Sequence, residues 1–375
     1  MTRHSRSKHQ RMKNEQQPLH RPRHKQHRGL KIGLLILVLV LFVGAGYGIH
    51  LYRQAKSALD KTYSSVDSKK EAKTSKLIAA SDPLGILLLG TDTGTGGRTE
   101  KNGNSDTIIV ATVNPKTNKT TLTSIPRDTL AQIIGENSFD FRKINAANNI
   151  GGAKMALNSV SKLINVPLTY YVRVNMAGLK QIVNAIGGVD VTVPFDFESN
   201  NSTFTKGKMH LNGQQALDYA QMRYEDPEGD YGRQKRQRAV ITSIVKSAMS
   251  AGTLANFKDL LEAVSDNMET NFTSEQMIDI FQTYRKAGKK ISSDYLHGVS
   301  AYADSASVQI ASTSELQRIS DAIRSELDLT QATVDNATTK ENKLNEQNGF
   351  IFENPQVEQE FTIYSQLSDT NYSSY

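Results

Sequence analysis

Residues 84–90 read LGILLLG, a short apolar run that ends in glycine. A run of this length without polar alternation is typical of a strand that is buried on both faces of a sheet. Two segments rich in β-branched residues follow, TIIVATV (107–113) and KTTLTSI (119–125), and the turn-forming residues 114–118 (NPKTN) join them. The three segments therefore predict a central strand beside a β-hairpin.

Further strands and helices alternate after this hairpin. LTYYVRV (168–174) and VDVTV (189–193) have strand composition. Asn212 and Gln215 have the spacing of a helix-capping box, and Gly187 follows a short helical pattern as a C-terminal stop signal. The spacing of apolar residues predicts helices over 147–164, 176–186, 213–223, 231–249, near 254–267 and over 274–287. We therefore expect an α/β fold in which helices cover both faces of a sheet.

Positive charge is concentrated at the N-terminus. The chain has 375 residues and a formal net charge of +7, but residues 1–31 hold ten Lys or Arg and a single acid, Glu15. Subtracting the tail's +9 leaves −2 for residues 32–375. A basic domain that binds nucleic acid is therefore excluded for the folded part, and the tail's charge is better explained by membrane topology and anionic lipid.

An apolar segment follows the basic tail directly. Residues 32–49 read IGLLILVLVLFVGAGYGI, which is long enough to cross most of a hydrocarbon core, and Leu51 and Tyr52 extend it to the interface. Because the flanking charge is on the N-terminal side, the positive-inside rule places residues 53–375 outside the cell. The alternative is a cleaved signal peptide, but the leader and the apolar segment are both long for one.

Composition divides the chain into five parts. We predict a basic cytoplasmic tail (1–31), a transmembrane signal anchor (32–52), an extracellular stalk (53–82), a folded domain (83–327) and a polar tail (328–375). The last part is rich in Asn, Gln, Thr, Ser and Glu, so we expect it to be largely disordered, with an added strand within 350–364.

Two carboxylates flank the central strands. Asp92 follows the apolar strand by two residues, and Asp106 directly precedes the next strand. Carboxylates at strand ends could hold a hard divalent cation such as Mg²⁺. The alternative is that both are ordinary loop acids, because Asp favours turns.

The second cluster is the basic segment EDPEGDYGRQKRQR (225–238), which leads into an apolar-faced helix. Asp230 is the expected N-cap, and positive charge in the first turns opposes the helix dipole unless an anion compensates it. Arg233, Arg236 and Gln237 continue the apolar stripe at steps of three or four, whereas Lys235 and Arg238 fit a solvated face. The sequence thus predicts an anion site at this helix start.

Other positive residues have weaker signals. Arg127 follows Pro126 at the end of a strand and either meets the same anion or pairs with Asp128 on the surface. Lys143 and Arg223 carry no signal alone. The chain has no cysteine and, from residue 53 to 330, only two histidines, neither in a motif. Thiol chemistry, disulfides and a histidine-based acyl transfer are therefore excluded.

The ordered motifs of the domain resemble those of the LytR-CpsA-Psr family over about residues 84–290. They are LLLGTD (87–92), NSDTIIVATVNPKT (104–117), LTSIPRDT (122–129), KINAA (143–147), GGVDVTVPFDF (187–197), LNGQQALDYAQMR (211–223) and DPEGDYGRQKRQR (226–238). The resemblance implies a three-layer α/β/α sandwich with a mixed central sheet, preceded by one transmembrane helix, with a pyrophosphate site and an apolar tunnel for a polyprenyl tail.

The resemblance also implies residue roles. Asp92 and Asp106 would hold Mg²⁺ or Mn²⁺. Four catalytic arginines would contact the pyrophosphate, namely Arg127, Arg223, Arg233 and Arg236. Asp128, Lys143 and Gln237 would support its binding. Many members carry Arg where this chain has Asn104; Arg98, earlier in the loop, is the candidate replacement, unless one phosphate contact is absent.

The implied activity is a phosphotransferase in the cell membrane of a Gram-positive bacterium, single-pass type II, with its catalytic domain outside. It would move a teichoic acid or capsular polysaccharide from undecaprenyl pyrophosphate to peptidoglycan. A muramic acid 6-hydroxyl would attack the sugar-linked phosphorus, with Asp92 as the first candidate base and Asp128 as the second. The alternatives are a polyprenyl-lipid-binding regulator (a transcriptional attenuator) of wall genes and a lipid-linked pyrophosphatase.

Overall fold

The computed structural model describes residues 63–64, 78, 81–94, 102–135, 139–248, 264, 266–353 and 358–365. The predicted anchor (32–52), most of the stalk and most of the helix predicted near 254–267 lie outside these residues. Within the described ranges, no helix is both long and apolar enough to cross a bilayer.

The strands, in chain order, are β1 (Leu84–Thr91), β2 (Ser105–Asn114), β3 (Lys119–Ser124), β4 (Leu130–Gln132), β5 (Phe141–Lys143), β6 (Tyr170–Asn175), β7 (Val189–Val193), β8 (Phe197–Ser199), β9 (Ser202–Phe204), β10 (Gly207–Leu211), β11 (Met268–Thr270), β12 (Lys290–Tyr295), β13 (Val299–Ala303) and β14 (Ala306–Ile310). The helices are α1 (Ala146–Leu163), α2 (Met176–Ala185), α3 (Gly213–Gln221), α4 (Gly229–Ala248), α5 (Ser274–Tyr284), α6 (Thr313–Glu326) and α7 (Ala337–Gln347), and a 3₁₀ turn spans Arg285–Lys289.

Six strands form the central sheet in the order β11-β6-β1-β2-β3-β12. β1, β2 and β3 are antiparallel neighbours, as the hairpin prediction required. β6 is parallel to β1, and β12 is parallel to β3. The predicted mixed sheet is therefore confirmed, with the apolar segment 84–90 as one of its central strands.

Side chains of β1 point alternately to two covered faces of the sheet. Leu87 and Leu89 pack in a cluster with apolar residues of α1 and α6. Leu84 and Ile86 pack on the other face, with Phe272 and with residues of α4 and α5. Burying a leucine stabilises the fold by roughly 2 kcal/mol, so this strand contributes on both faces, which explains its unbroken apolar sequence.

A third apolar cluster joins helices α2, α3 and α4 to the pair β7–β10. α3 begins with the predicted capping box: Gln215 N donates to Asn212 Oδ1 and Asn212 N donates to Gln215 Oε1, each at 3.0 Å. α4 begins at Gly229, so the expectation that Asp230 is its N-cap was wrong. Asp230 lies inside the first turn instead.

The C-terminal region is ordered, and the prediction that residues 328–375 are largely disordered was wrong for its described part. α7 packs there with buried polar side chains that bond to distant backbone groups: Asn342 Nδ2 donates to Ala311 O at 2.9 Å, and Asn345 Nδ2 donates to Thr362 O at 2.8 Å. The folded domain therefore extends beyond 327. Of the strand predicted within 350–364, the described residues show one bridge, between Tyr302 and Glu360.

Candidate active site

A β-bulge places Asp106 at the end of the central sheet. Gly90 pairs with Thr107 and Thr91 pairs with Ser105, so Asp106 is the extra residue on β2. Bulges redirect a side chain and are common beside functional sites. Asp106 lines the mouth of a cavity, and its side chain is 31% exposed.

Asp92 lies at the same end of the sheet, just beyond β1. Its backbone N–H donates to Asn104 O at 3.3 Å. A β-carbon at Gly103 would lie 2.4 Å from Asp92 Oδ1, so the Asp92 carboxylate packs directly on the backbone that precedes β2. The expectation that Asp92 and Asp106 come from adjacent strand ends agrees with this geometry.

The two carboxylates supply hard oxygen ligands, the kind that Mg²⁺ and Mn²⁺ prefer. The described residues contain no group of three or more His, Cys, Asp and Glu that could enclose a metal ion. A site built on two carboxylates still fits Mg²⁺, which usually keeps several waters and takes further oxygens from substrate phosphates.

Arg127 contacts Asp106 directly. Its Nη1 donates to Asp106 Oδ1 at 2.6 Å, whereas its Nε lies 3.6 Å from Asp128 Oδ2. Burial opposes the charged guanidinium, but the hydrogen bond and the charge of Asp106 outweigh it and raise the pKa of Arg127. Arg127 thus lies within ion-pair distance of both Asp106 and Asp128 and does not itself line the cavity, and its contact with an anion stays a prediction.

Asp128 lies close to two positively charged side chains, those of Lys143 and Arg127. Its Oδ1 lies 3.1 Å from Lys143 Nζ, and its Oδ2 faces Arg127. Lys143 is one-third exposed and does not line the cavity. Asp128 thus anchors Lys143 and Arg127 side by side.

Arg233, on α4, lines the same cavity as Asp106. It is 6% exposed, and its guanidinium is paired with Asp230. Burial lowers the pKa of Arg233, the charges of Asp230 and Asp106 oppose that effect, and the like charges of Arg127 and Arg223 add to it. These five charged groups are therefore close enough to act on one another.

The Nε atoms of Arg127 and Arg233 are both buried and have no hydrogen-bond partner among the described residues. A buried donor without an acceptor costs about 1–3 kcal/mol. Two guanidiniums with spare donor capacity, one bonded to Asp106 and one lining the same cavity as Asp106, have the chemistry of an anion site, because their planar forks match phosphate oxygens.

The cavity behind these groups has a volume of about 520 Å³ and lies between β1, β6 and the helices α2, α3 and α4. Its polar lining is Thr91, Asp106, Thr107, Asn175, Gln221, Arg233 and Gln237. The remaining lining is mostly aliphatic and includes Leu179, Ile182, Leu217, Val240 and Ile244. The site is therefore a charged mouth in front of an apolar chamber.

Arg236 does not line this cavity. It is 2% exposed, and its guanidinium pairs with Asp226 and donates to the carbonyls of Tyr219 and Met222. The expectation that Arg236 contacts the anion is therefore wrong in this structure. Its guanidinium joins the end of α3 to α4, so it positions the helix that carries Arg233.

The remaining basic residues are spread more widely. Arg223 lies in the α3–α4 connection, close enough to affect Arg233 electrostatically. Lys235 is half-exposed and pairs with Glu228, as a solvated face predicts. Arg238 is 5% exposed, so its assignment to a solvated face was wrong. Arg98 lies outside the described residues.

A buried network that the sequence did not reveal holds the loop beside Asp92. Arg173 on β6 pairs with Glu269 and donates to Asn102 Oδ1 at 2.8 Å. Asn148 on α1 donates to Gly103 O at 2.7 Å. The only sequence signal was an arginine within the apolar strand pattern at 168–174.

Comparisons with known proteins give a consistent result. The LytR_cpsA_psr family model matches residues 49–325. A teichoic acid transferase of Enterococcus faecalis, named polyisoprenyl-teichoic acid–peptidoglycan teichoic acid transferase TagU, is 43% identical over 80% of this chain and 98% of its own length. Biofilm regulatory protein A of Streptococcus mutans is 39% identical over 83% of this chain and 81% of its own. A crystal structure from Streptococcus agalactiae covers 68% of this chain and 91% of its own, with 40% identity and a TM-score of 0.64.

Proposed function

The chain belongs to the LytR-CpsA-Psr family, and we propose that it transfers an anionic glycopolymer from a polyprenyl pyrophosphate carrier to peptidoglycan. Teichoic acid is the first candidate polymer, because the Enterococcus faecalis relative carries that activity in its name. The observation that carries the proposal is a cavity with charged residues at its mouth and a mostly aliphatic chamber behind them. A lipid-linked pyrophosphate has the matching chemistry, because an anionic head is joined to an apolar chain.

The arginines supply the electrostatic part of the reaction. Arg127 and Arg233 bind the pyrophosphate oxygens and neutralise charge that builds up during phosphoryl transfer, where positioning and electrostatics dominate. Gln237 adds a polar contact at the same mouth, Arg223 adds positive charge close to Arg233, and Asp230 and Asp128 orient the guanidiniums.

The bond changes follow from this placement. A sugar hydroxyl of peptidoglycan attacks the sugar-linked phosphorus, the pyrophosphate bond breaks, and polyprenyl phosphate leaves with the apolar chain still in the chamber. A phosphodiester then joins the polymer to the wall. Asp92, packed against Gly103, is the first candidate to accept the hydroxyl proton.

Asp92 and Asp106 would hold Mg²⁺ or Mn²⁺, which when bound supplies positive charge to the phosphate oxygens. We expect Asp106→Asn to raise the Mg²⁺ concentration needed for half-maximal activity by about tenfold or more, because one of two protein ligands is lost. Titration of activity with Mg²⁺ checks this result. Equal Mg²⁺ requirements for Asp106→Asn and wild-type protein would remove Asp106 from the metal site.

The chamber would hold the polyprenyl chain. Ile244→Trp fills part of it, so we expect KM for a long polyprenyl donor to rise about tenfold, with little change for a short isoprenoid donor. Ile150→Trp, at an exposed isoleucine of α1, is the matched control and should change neither value. If Ile244→Trp affected both donors equally, the chamber would not be the chain's binding site.

The proposed place of action is the outer face of the cell membrane, with residues 32–52 as the anchor. The regulatory alternative has one supporting observation, the resemblance to Biofilm regulatory protein A, and the same chamber would serve a lipid-binding regulator. Incubation of the purified protein with a lipid-linked donor and wall fragments separates the candidates. Polymer bound to wall supports transfer, free phosphorylated polymer supports hydrolysis, and binding without turnover supports regulation.

A further inference from the structure

A second and larger groove, of about 890 Å³, lies on the other side of α4 from the chamber. β7, α4 and β12 form its walls, and its α4 residues include Lys235, Arg238, Thr242 and Lys246, which follow one another at steps of three or four and so share one helix face. Arg233 and Gln237 line the chamber instead. One helix therefore separates two different surfaces.

The groove is mainly cationic. Three of its lining residues carry positive charge, Lys235, Arg238 and Lys246, against one acid, Asp190. Asp190 Oδ1 already lies 2.8 Å from His210 Nδ1, and Lys235 pairs with Glu228 at the surface. Positive charge thus remains at both Arg238 and Lys246.

Arg238 is the unusual member of this surface. It is 5% exposed, its Nη1 donates to Ser124 Oγ at 2.5 Å, and its guanidinium lies 5.7 Å from the centre of the Tyr295 ring. Its Nε is buried without a hydrogen-bond partner, and no carboxylate of the described residues lies within ion-pair distance. A buried guanidinium held by a hydroxyl and a ring is expected beside a bound anion.

The neutral lining also suits a sugar or polyol chain. Thr242, Ser293 and Tyr295 are among the residues that line the groove. The Tyr295 ring in turn lies 5.1 Å from the Tyr231 ring, in the first turns of α4 that also carry Arg233. Tyr231 and Tyr295 thus connect the helix turn that carries Arg233 to the lining of the groove.

We propose that this groove binds the phosphate-bearing chain of the polymer itself, several units away from the pyrophosphate that reacts. The inference rests on the proposed function and adds to it the place where the donor's repeating units lie. Each phosphodiester repeat carries one negative charge, so the spaced cations Arg238 and Lys246 can contact different repeats of one chain. The groove would then favour long polymers over short ones.

The test compares two donors with the same lipid pyrophosphate, one bearing a single sugar and one bearing about ten phosphodiester repeats. Lys246→Glu reverses a charge in the groove and leaves the mouth intact, so KM should rise about tenfold for the long donor and stay unchanged for the short one. The exposed Lys340→Glu, on α7, makes the same charge change elsewhere and should leave both values unchanged.

An equal KM for wild-type and Lys246→Glu protein with the long donor overturns the proposal, and so does an equal rise with both donors. Calorimetry with a soluble glycerol phosphate oligomer measures binding to the groove without turnover. It therefore distinguishes a failure of the groove proposal from a failure of the proposed function. If wild-type protein turns over neither donor, the proposed function falls. The groove then stands only if Lys246→Glu, and not Lys340→Glu, weakens oligomer binding.

Discussion

Replacing Arg233 by glutamine should lower kcat/KM for transfer by about three orders of magnitude while the protein stays folded. Arg233 lines the cavity together with Asp106, to which Arg127 donates, and its buried Nε has no hydrogen-bond partner among the described residues. Removing a charged donor that stabilises a phosphoryl transition state typically costs 10²–10⁵ in rate. Glutamine keeps a donor for Asp230 but loses the charge and the planar fork.

Steady-state transfer kinetics and a thermal unfolding curve check this result together. Arg142→Gln is the matched control, because Arg142 is half-exposed on β5 and pairs only with Asp140 among the described residues. We expect Arg142→Gln to keep wild-type kinetics. If Arg233→Gln retained activity within a few-fold of wild type, the anion site would not be at this mouth.

Replacing Arg236 by methionine should instead lower the free energy of unfolding, by about 3–5 kcal/mol. The Arg236 guanidinium is almost fully buried, and its loss leaves the Asp226 carboxylate, 4% exposed, without its cation. Two backbone carbonyls at the end of α3 lose a donor as well. The activity of the folded fraction should fall much less than in Arg233→Gln.

Chemical denaturation measures this change. The double substitution Arg236→Met with Asp226→Asn should recover part of the loss, because it no longer leaves a buried unpaired charge. A stability loss under about 1 kcal/mol, combined with a thousandfold loss of activity, would mean that Arg236 contacts substrate and that its structural role is wrong.

The contrast between Arg233 and Arg236 shows what helical spacing can predict. At about 100° per residue, Gln237 lies about 40° from Arg233 on one side, and Arg236 about 60° away on the other. Positions 236 and 237 are both compatible with the apolar stripe of α4, and the sequence correctly predicted that the basic residues Arg233 and Arg236 are buried. Only the packing of α3 against α4 places Asp226 beside Arg236, and sequence spacing does not reveal that contact.

The central strands were predictable because helices cover both faces of the sheet, so that apolar residues are required at nearly every position of such a strand. The end of the domain was not, because composition describes the average solvent preference of a segment. In α7 the buried Asn342 and Asn345 are stabilised by specific carbonyl partners far away in the chain. The Arg173–Glu269 pair beside the Asp92 loop has the same origin, since its partners are 96 residues apart.

The fate of one phosphorus atom distinguishes transfer to the wall from hydrolysis of the donor. A donor with radioactive phosphorus only in the sugar-linked phosphate should, after incubation with the protein and peptidoglycan, give wall fragments that carry both polymer and label. The released lipid should be an unlabelled polyprenyl monophosphate. Label that stayed with the lipid would contradict attack on the sugar-linked phosphorus, and label found only on free polymer would contradict transfer to the wall.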